Sequence, residues 1–201
     1  MCPQRNICQR CIIDSSVPNV SFNLKGECIY CTNYFRLIVA ITREANPANL
    51  NALVSRIRHS STKKEYDCVI GVSGGLDSSY VLYITKKLKL RPLAVHLDNG
   101  WNSELAVRNI ELLCKKLEID LYTHVIDWNE FRDLQRAFFK ANVVDIEMLT
   151  DHAIAAILYK LAHDHGIKYI IAGTNMAHEG MEMPPGWVHQ KQDAQNIRAI
   201  Y

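Results

Sequence analysis

The chain has no long apolar run and no surplus of either charge. Its longest purely aliphatic stretches, Leu37 to Ile41 and Ala153 to Leu158, are far too short to span a bilayer, and no apolar segment stands behind the charge in Met1-Cys2-Pro3-Gln4-Arg5-Asn6. Lys and Arg number 23 against 21 Asp and Glu, a net charge of +2, too near balance to point to nucleic acid or a membrane surface as an electrostatic partner. The expectation is a soluble, cytoplasmic protein. With 48% hydrophobic and 22% charged residues, disorder, collagen and disulfide-scaffold classes are excluded. A length of 201 residues suggests one domain plus a small appendage.

Cysteine is absent after Cys114, and four of the seven cysteines fall into two close pairs near the N-terminus. Cys8-Gln9-Arg10-Cys11 and Cys28-Ile29-Tyr30-Cys31 form C-x2-C, sixteen residues, C-x2-C. Two tight turns at that spacing present four thiolates tetrahedrally, the pattern of a structural zinc site; disulfides or an iron–sulfur cluster are the alternatives. A closed site of four thiolates leaves no open position for catalysis. Residues 1–35 then form a zinc-binding lobe that folds only when loaded. Residues 36–64 read as a connector: Leu50, Leu53, Val54 and Ile57 repeat with helical spacing after Asn46-Pro47, and Ser60 to Lys64 follows as a linker. The spare cysteines are Cys2, Cys68 and Cys114, of which the last two fall on apolar faces.

Residues 65–201 alternate short apolar runs with helical stretches. Strands are expected at Cys68–Val72, Leu93–Leu97, Leu121–Val125 and Tyr169–Ala172, with helices at Ser78–Leu88, Glu104–Leu117, Asn129–Lys140 and Asp151–His165. That alternation predicts an α/β fold, a parallel sheet flanked by helices.

Ser73-Gly74-Gly75-Leu76-Asp77-Ser78-Ser79 lies between the first strand and its helix. Two glycines permit a tight turn and close backbone approach, and the helix N-terminus offers N–H groups to an anion. The lysine of a Walker loop is missing, and the loop carries an acid, Asp77, which an anion site tolerates when Mg2+ mediates. The plain alternative is a glycine-rich turn with a capping side chain. At this point the chain resembles the ATP pyrophosphatase superfamily, whose PP-loop reads SGGxDS. The resemblance implies an adenine nucleotide alpha-hydrolase-like fold and cleavage of ATP to AMP and pyrophosphate. It implies ATP contacts at Ser73, Gly74, Gly75, Asp77, Ser78 and Ser79, with Ser73 and Asp77 catalytic. It carries further ATP contacts to His96 and Asp98 of His96-Leu97-Asp98-Asn99-Gly100-Trp101, and to Gly173 and Thr174 of Gly173-Thr174-Asn175. Glu179 falls where ammonia-using relatives hold Mg2+, and would share it with Asp77. Singly, His96 or Asp98 reads as a strand-end hydrogen-bonding residue; agreement at three strand ends favours a ligand role.

Asp151-His152 reads equally as a helix start or as part of the site, and Pro184-Pro185-Gly186-Trp187 as a rigid turn with an exposed aromatic. Together with the two CxxC pairs and Thr150-Asp151-His152-Ala153-Ile154, the arrangement is similar to the N-acetyl sugar amidotransferases of bacterial surface-polysaccharide (LPS O-antigen) biosynthesis. That likeness implies a nucleotide-linked or nonulosonic sugar substrate, an acetamidino product, an ammonia-supplying glutaminase partner, and further residues beyond 201. The alternatives are a tRNA thiolation enzyme, which typically needs further cysteines in or after the catalytic domain, and a truncated, non-catalytic nucleotide-binding module.

Overall fold

The computed structural model describes residues 5–187, 191 and 193–201. Four strands, β1 (Cys68–Gly71), β2 (Pro92–Asp98), β3 (Leu121–Val125) and β4 (Ile170–Ile171), form one parallel sheet in the order β3-β2-β1-β4. Register pairs Val69 with Leu93 and Ile170, and His96 with Thr123. The helices are α1 (Ile29–Glu44), α2 (Pro47–Ser60), α3 (Leu76–Lys87), α4 (Glu104–Leu117), α5 (Trp128–Lys140), α6 (Met148–Asp164), α7 (Met176–Glu179) and α8 (Ala194–Ile200). The expected α/β class with a parallel, helix-flanked sheet holds.

Alternation along the central strands builds two cores. Cys68, Ile70, Val72 and Ala94 pack with Leu82 of α3 and with Ile110 and Cys114 of α4. Val69, Leu93 and Val95 point the other way, onto Ile157, Leu161 and Ala162 of α6. Each fully buried aliphatic side chain, such as Leu82 or Ile70, stabilises the fold by about 1.5–3 kcal/mol. Because β1 is central, the chain runs outward through β2 and β3 and then crosses back to β4 on the other side. The carboxyl ends of β1 and β4 therefore flank a switch point in the strand order, where open α/β sheets bind ligands.

The chain divides into two compact units, Met1–Leu50 with Asn175–His189, and Asn51–Thr174 with Gln190–Tyr201. In the first, the Tyr34 hydroxyl donates to the Ala177 carbonyl at 2.8 Å and Met181 packs on the cysteine cluster, so segment 175–189 joins the lobe. The second CxxC opens α1, with the Cys28 sulfur accepting from the Cys31 N–H as the N-cap.

Within the second unit, Val54 and Ile57 of α2 pack on Leu90. The following segment is pinned by Asp67, 2% exposed. Its carboxylate accepts from the Ser61 hydroxyl, from the Arg91 backbone N–H at 2.8 Å and from the Arg91 guanidinium at 2.8 Å. Burial pushes the Asp67 carboxyl up, but the Arg91 and Ser61 hydrogen bonds outweigh it and hold the group below its ordinary value. Its stabilisation is therefore complete above the unfolded pKa of about 3.9 and is lost as the pH falls through the lower folded value. Asp67→Asn should cost about 2–3 kcal/mol in urea unfolding at pH 7, with the gap to wild type narrowing below about pH 4. A gap of equal size at pH 7 and pH 3 would contradict the assignment.

Candidate functional site

The loop after β1 is held by two serines and two glycines. Ser78 Oγ accepts from the Ser73 N–H at 3.3 Å and lies 3.2 Å from Ser73 Oγ, while Ser73 Oγ accepts from the Gly75 N–H at 3.4 Å. Gly74 has φ +76°, and a Cβ there would lie 2.5 Å from the Ala106 carbonyl oxygen, so the turn rests directly on α4. Gly173, beyond β4, approaches equally closely: a Cβ would lie 2.7 Å from Ser78 Cα and 2.9 Å from Ser78 N. These close approaches aim the start of α3 at the switch point. Gly75 caps α3 without a side-chain hydrogen bond, leaving the first-turn N–H groups of Leu76, Asp77 and Ser78 without an intrahelical acceptor. Such an end attracts anions.

A cleft of about 550 Å3 opens at these strand ends, lined by Ser73, Ser78, His96, Asn99, Thr150 and Gly173 among others. Two acids, Glu147 and Asp151, also line it, and none of its lining residues is Lys or Arg. The sequence-predicted ATP residues thus divide. Ser73, Ser78, His96 and Gly173 share the cleft wall; Gly74 and Gly75 belong to the loop beside it, and Asp77, which is exposed, and Ser79 to the start of α3. Thr174 follows Gly173 and is exposed. Asp98 turns to its own loop, accepting from the Gly100 N–H at 3.0 Å and from Asn102 Nδ2 at 3.4 Å. Glu179 is exposed at the end of α7, in the other unit.

His96 is 4% exposed, with Nδ1 3.1 Å from the Val72 carbonyl oxygen and Nε2 buried without a partner among the described residues. The bonds that hold the neighbouring side chains were beyond sequence reasoning. Asn99 Nδ2 donates to Thr150 Oγ1 at 3.3 Å, and Trp101 Nε1 donates to Gln135 Oε1 at 3.0 Å while its ring meets Trp128 edge-on at 5.8 Å. These partners lie 51 and 34 positions apart, beyond any local pattern. Asp151 stands in the first turn of α6, lines the cleft and pairs with Lys191. The turn at Pro184 to Trp187 closes with a Trp187 N–H to Pro184 carbonyl bond of 3.0 Å. Burial pushes Cys68 up to about 12, with the Asp67 charge adding to it, and pushes Cys114 up to about 11, so neither is a reactive thiol.

The family model for NAD synthase matches residues 49–189, more than half of the sequence. The chain belongs to the NAD synthase family. Its PP-loop places it in the ATP pyrophosphatase superfamily. Among curated relatives, tRNA(Ile)-lysidine synthase of Chlamydia pneumoniae is 34% identical over 77 residues, 36% of this chain and 24% of that protein. Among solved structures, NMN synthetase from Francisella tularensis is 22% identical over 59% of this chain and 50% of that one, with a TM-score of 0.45. The NH3-dependent NAD synthetase from Campylobacter jejuni subsp. jejuni is 17% identical over 62% and 55%, also at 0.45. The chain thus spans about a quarter of this curated relative and about half of these two structures. No helix among the described residues is long and apolar enough to cross a membrane.

In the lobe, Cys8, Cys11, Cys28 and Cys31 hold their sulfurs within 4.8 Å of one another, with Cys8 to Cys31 at 3.9 Å and Cys11 to Cys28 at 3.6 Å. Metal–sulfur bonds of about 2.3 Å in a tetrahedron require sulfur separations of about 3.8 Å, so the cage fits one tetrahedral ion. A cubane cluster, with four irons and four sulfides inside the thiolates, needs a wider one. Burial alone would raise the Cys8 thiol, yet N–H groups of Cys28, Arg10 and Cys11 aimed at its sulfur bring it down to about 6. Cys31 is pushed up instead, first by burial and then by the neighbouring thiols. Half of the six buried residues of this small core are cysteines, so the lobe has little apolar mass to hold it without a metal. Chelation should therefore collapse the amide dispersion of Ile13 and Val17 while resonances of the sheet persist, and Cys28→Ser should abolish stoichiometric metal in elemental analysis. A metal-free lobe that keeps its dispersion would refute this.

Proposed function

We propose that this protein is an ATP-dependent, AMP- and pyrophosphate-forming amidotransferase that converts the acetamido group of an N-acetyl sugar to an acetamidino group. The observation that carries the nucleotide half is the loop: free N–H groups and an acid at a sheet switch point, with no lysine. The sugar half rests on the sequence resemblance over the CxxC pairs, Thr150 to Ile154 and the strand ends. ATP contacts in this reading come from Ser73, Gly74, Gly75, Ser78, Ser79, His96, Asp98, Gly173 and Thr174. Asp77 would hold Mg2+, which supplies charge neutralisation at the phosphates. Zinc is the ion assigned to the four cysteines, because four thiolates in a tetrahedral cage suit it and leave no open coordination position.

An amide carbonyl is a poor electrophile, and ammonia cannot expel its oxygen unaided. The acetamido oxygen attacks the α-phosphorus and pyrophosphate leaves, its growing charge met by the N–H groups of the loop and of the first turn of α3. Ammonia then adds to the activated carbon, loses a proton and expels AMP, which carries the former acetamido oxygen. An ammonia-supplying glutaminase subunit is the partner this chemistry asks for. No covalent enzyme intermediate is formed. The relative named for tRNA(Ile)-lysidine synthesis supports a second reading, in which the acceptor is a tRNA.

Metal-replete protein with Mg-ATP and ammonium should release AMP and pyrophosphate when UDP-linked acetamido sugars or an N-acetylated nonulosonic acid are added, and not when tRNA is added. Asp77→Asn should reduce this release at least about 100-fold, the scale of a lost electrostatic contact at a transferring phosphoryl group, with the lobe's metal content unchanged. ADP and phosphate as products, or release that depends only on tRNA, would overturn the sugar reading.

A further inference from the structure

The chain passes from the nucleotide loop's neighbour to the cysteine lobe with almost no slack. Gly173, which closes on Ser78, belongs to the sheet unit. Asn175 already belongs to the lobe's unit and caps α7: its side chain accepts from the Ala177 N–H at 3.1 Å and its carbonyl from the Glu179 N–H at 2.8 Å. Thr174 alone lies between them.

The segment that α7 opens is in turn tied to the cage at two points. The Tyr34 hydroxyl donates to the Ala177 carbonyl, and Met181 packs on the cluster that holds Cys8, Cys28 and Cys31. Tyr34 itself stands three residues after Cys31 on α1, the helix capped by the Cys28 sulfur. With four residues and no buried side chain, α7 is far below the roughly 12–15 residues at which an isolated helix becomes even marginally stable. Its shape therefore depends on the lobe, and the lobe's shape on the metal. At the other end, Gly173 follows β4, a two-residue edge strand, so little else fixes its approach to the first turn of α3.

We propose that Tyr34 is a positioning residue for the nucleotide loop, and that metal in the cysteine cage tightens Mg-ATP binding through Tyr34, α7 and Gly173. Resting on the ATP reading above, this adds the lobe and its metal to what sets the site's affinity. The simpler alternative is a lobe that folds around its metal with no effect beyond Thr174.

Three readouts separate the two. By calorimetry, zinc-replete protein should bind Mg-ATP at least about 5-fold more tightly than protein stripped with a zinc-selective chelator and dialysed, the low end of couplings between sites. Tyr34→Phe, zinc-replete, should keep its full zinc content yet bind Mg-ATP about 2–5-fold more weakly, the scale of one hydrogen bond. Stripping Y34F should then cost less affinity than stripping wild type, because the tie is already cut. Without any nucleotide, the amide resonances of Gly74, Gly75 and Gly173 should shift on zinc removal while those of Val69 and Val95 in the sheet stay in place. A Tyr34 that serves only the lobe would lower its melting temperature and leave Mg-ATP affinity at the wild-type value; that result would overturn its positioning role, and it is read on zinc-replete protein even where the stripped protein aggregates. Equal Mg-ATP affinity with and without zinc would remove the coupling and keep the ATP reading. A Gly173 that responds to zinc in a protein that binds no Mg-ATP would remove the ATP reading and keep the tether.

Discussion

A phosphate-binding loop built without a lysine is the constraint on which the rest of this structure turns. The cleft at the sheet's switch point is lined by two acids and no Lys or Arg. Attraction for phosphate then comes from backbone N–H groups at the start of one helix, which are weak individually and useful only when aimed together. Gly74 and Gly173 serve that aim: each lies where a single added carbon would strike neighbouring backbone, at Ala106 and at Ser78. The central position of β1 matters for the same reason. It lets β2 on one side and β4 on the other bring their ends to one cleft with the loop.

The lobe solves a different problem with a different interaction. Its buried cluster consists of Cys8, Ile13, Val17, Cys28, Tyr30 and Cys31, too little apolar volume to offset the chain entropy of its turns. Four sulfurs within 4.8 Å of one another are placed to chelate a metal ion that would make up that deficit. The sheet unit owes its stability to apolar packing on both faces of β1 and β2, and to Asp67 holding the chain between α2 and β1. The two units therefore answer to different reagents, a chelator for one and acid or urea for the other.

Much of the fold was legible because its signals are local. Strands β1 and β2, covered by helices on both faces, read as continuous apolar runs, and α4 carries its own serine cap at Ser103. Gly166, directly after the helix expected to end at His165, has φ +61°, a left-handed conformation that stops it. Other boundaries carried no local mark. Helix α6 starts at Met148, three residues before the expected Asp151, because Glu147 caps it without a side-chain bond. Helix α1 has no clean apolar stripe: Phe35, Leu37, Val39 and Ile41 are all exposed, so periodicity did not announce it. At the site, the loop and the cysteine cage were visible as spacings. The Asn99–Thr150 bond, the Trp101–Gln135 bond and the burial of His96 Nε2 without a partner among the described residues were not, since each depends on which distant residues the fold brings together.

Such a cleft should bind a nucleotide only when the nucleotide brings its own counter-charge. Asp151 is paired with Lys191, but unscreened phosphate charges facing Glu147 repel at short range, and the exposed Asp77 carboxylate on the first turn of α3 adds to that repulsion unless a divalent cation lies between. The most direct measurement is a calorimetric titration of the metal-replete protein with ATP, with and without free Mg2+. The account predicts saturable binding with Mg2+ and at least about 100-fold weaker binding without it, a difference of roughly 2.7 kcal/mol. Equal affinity in the two titrations would contradict it.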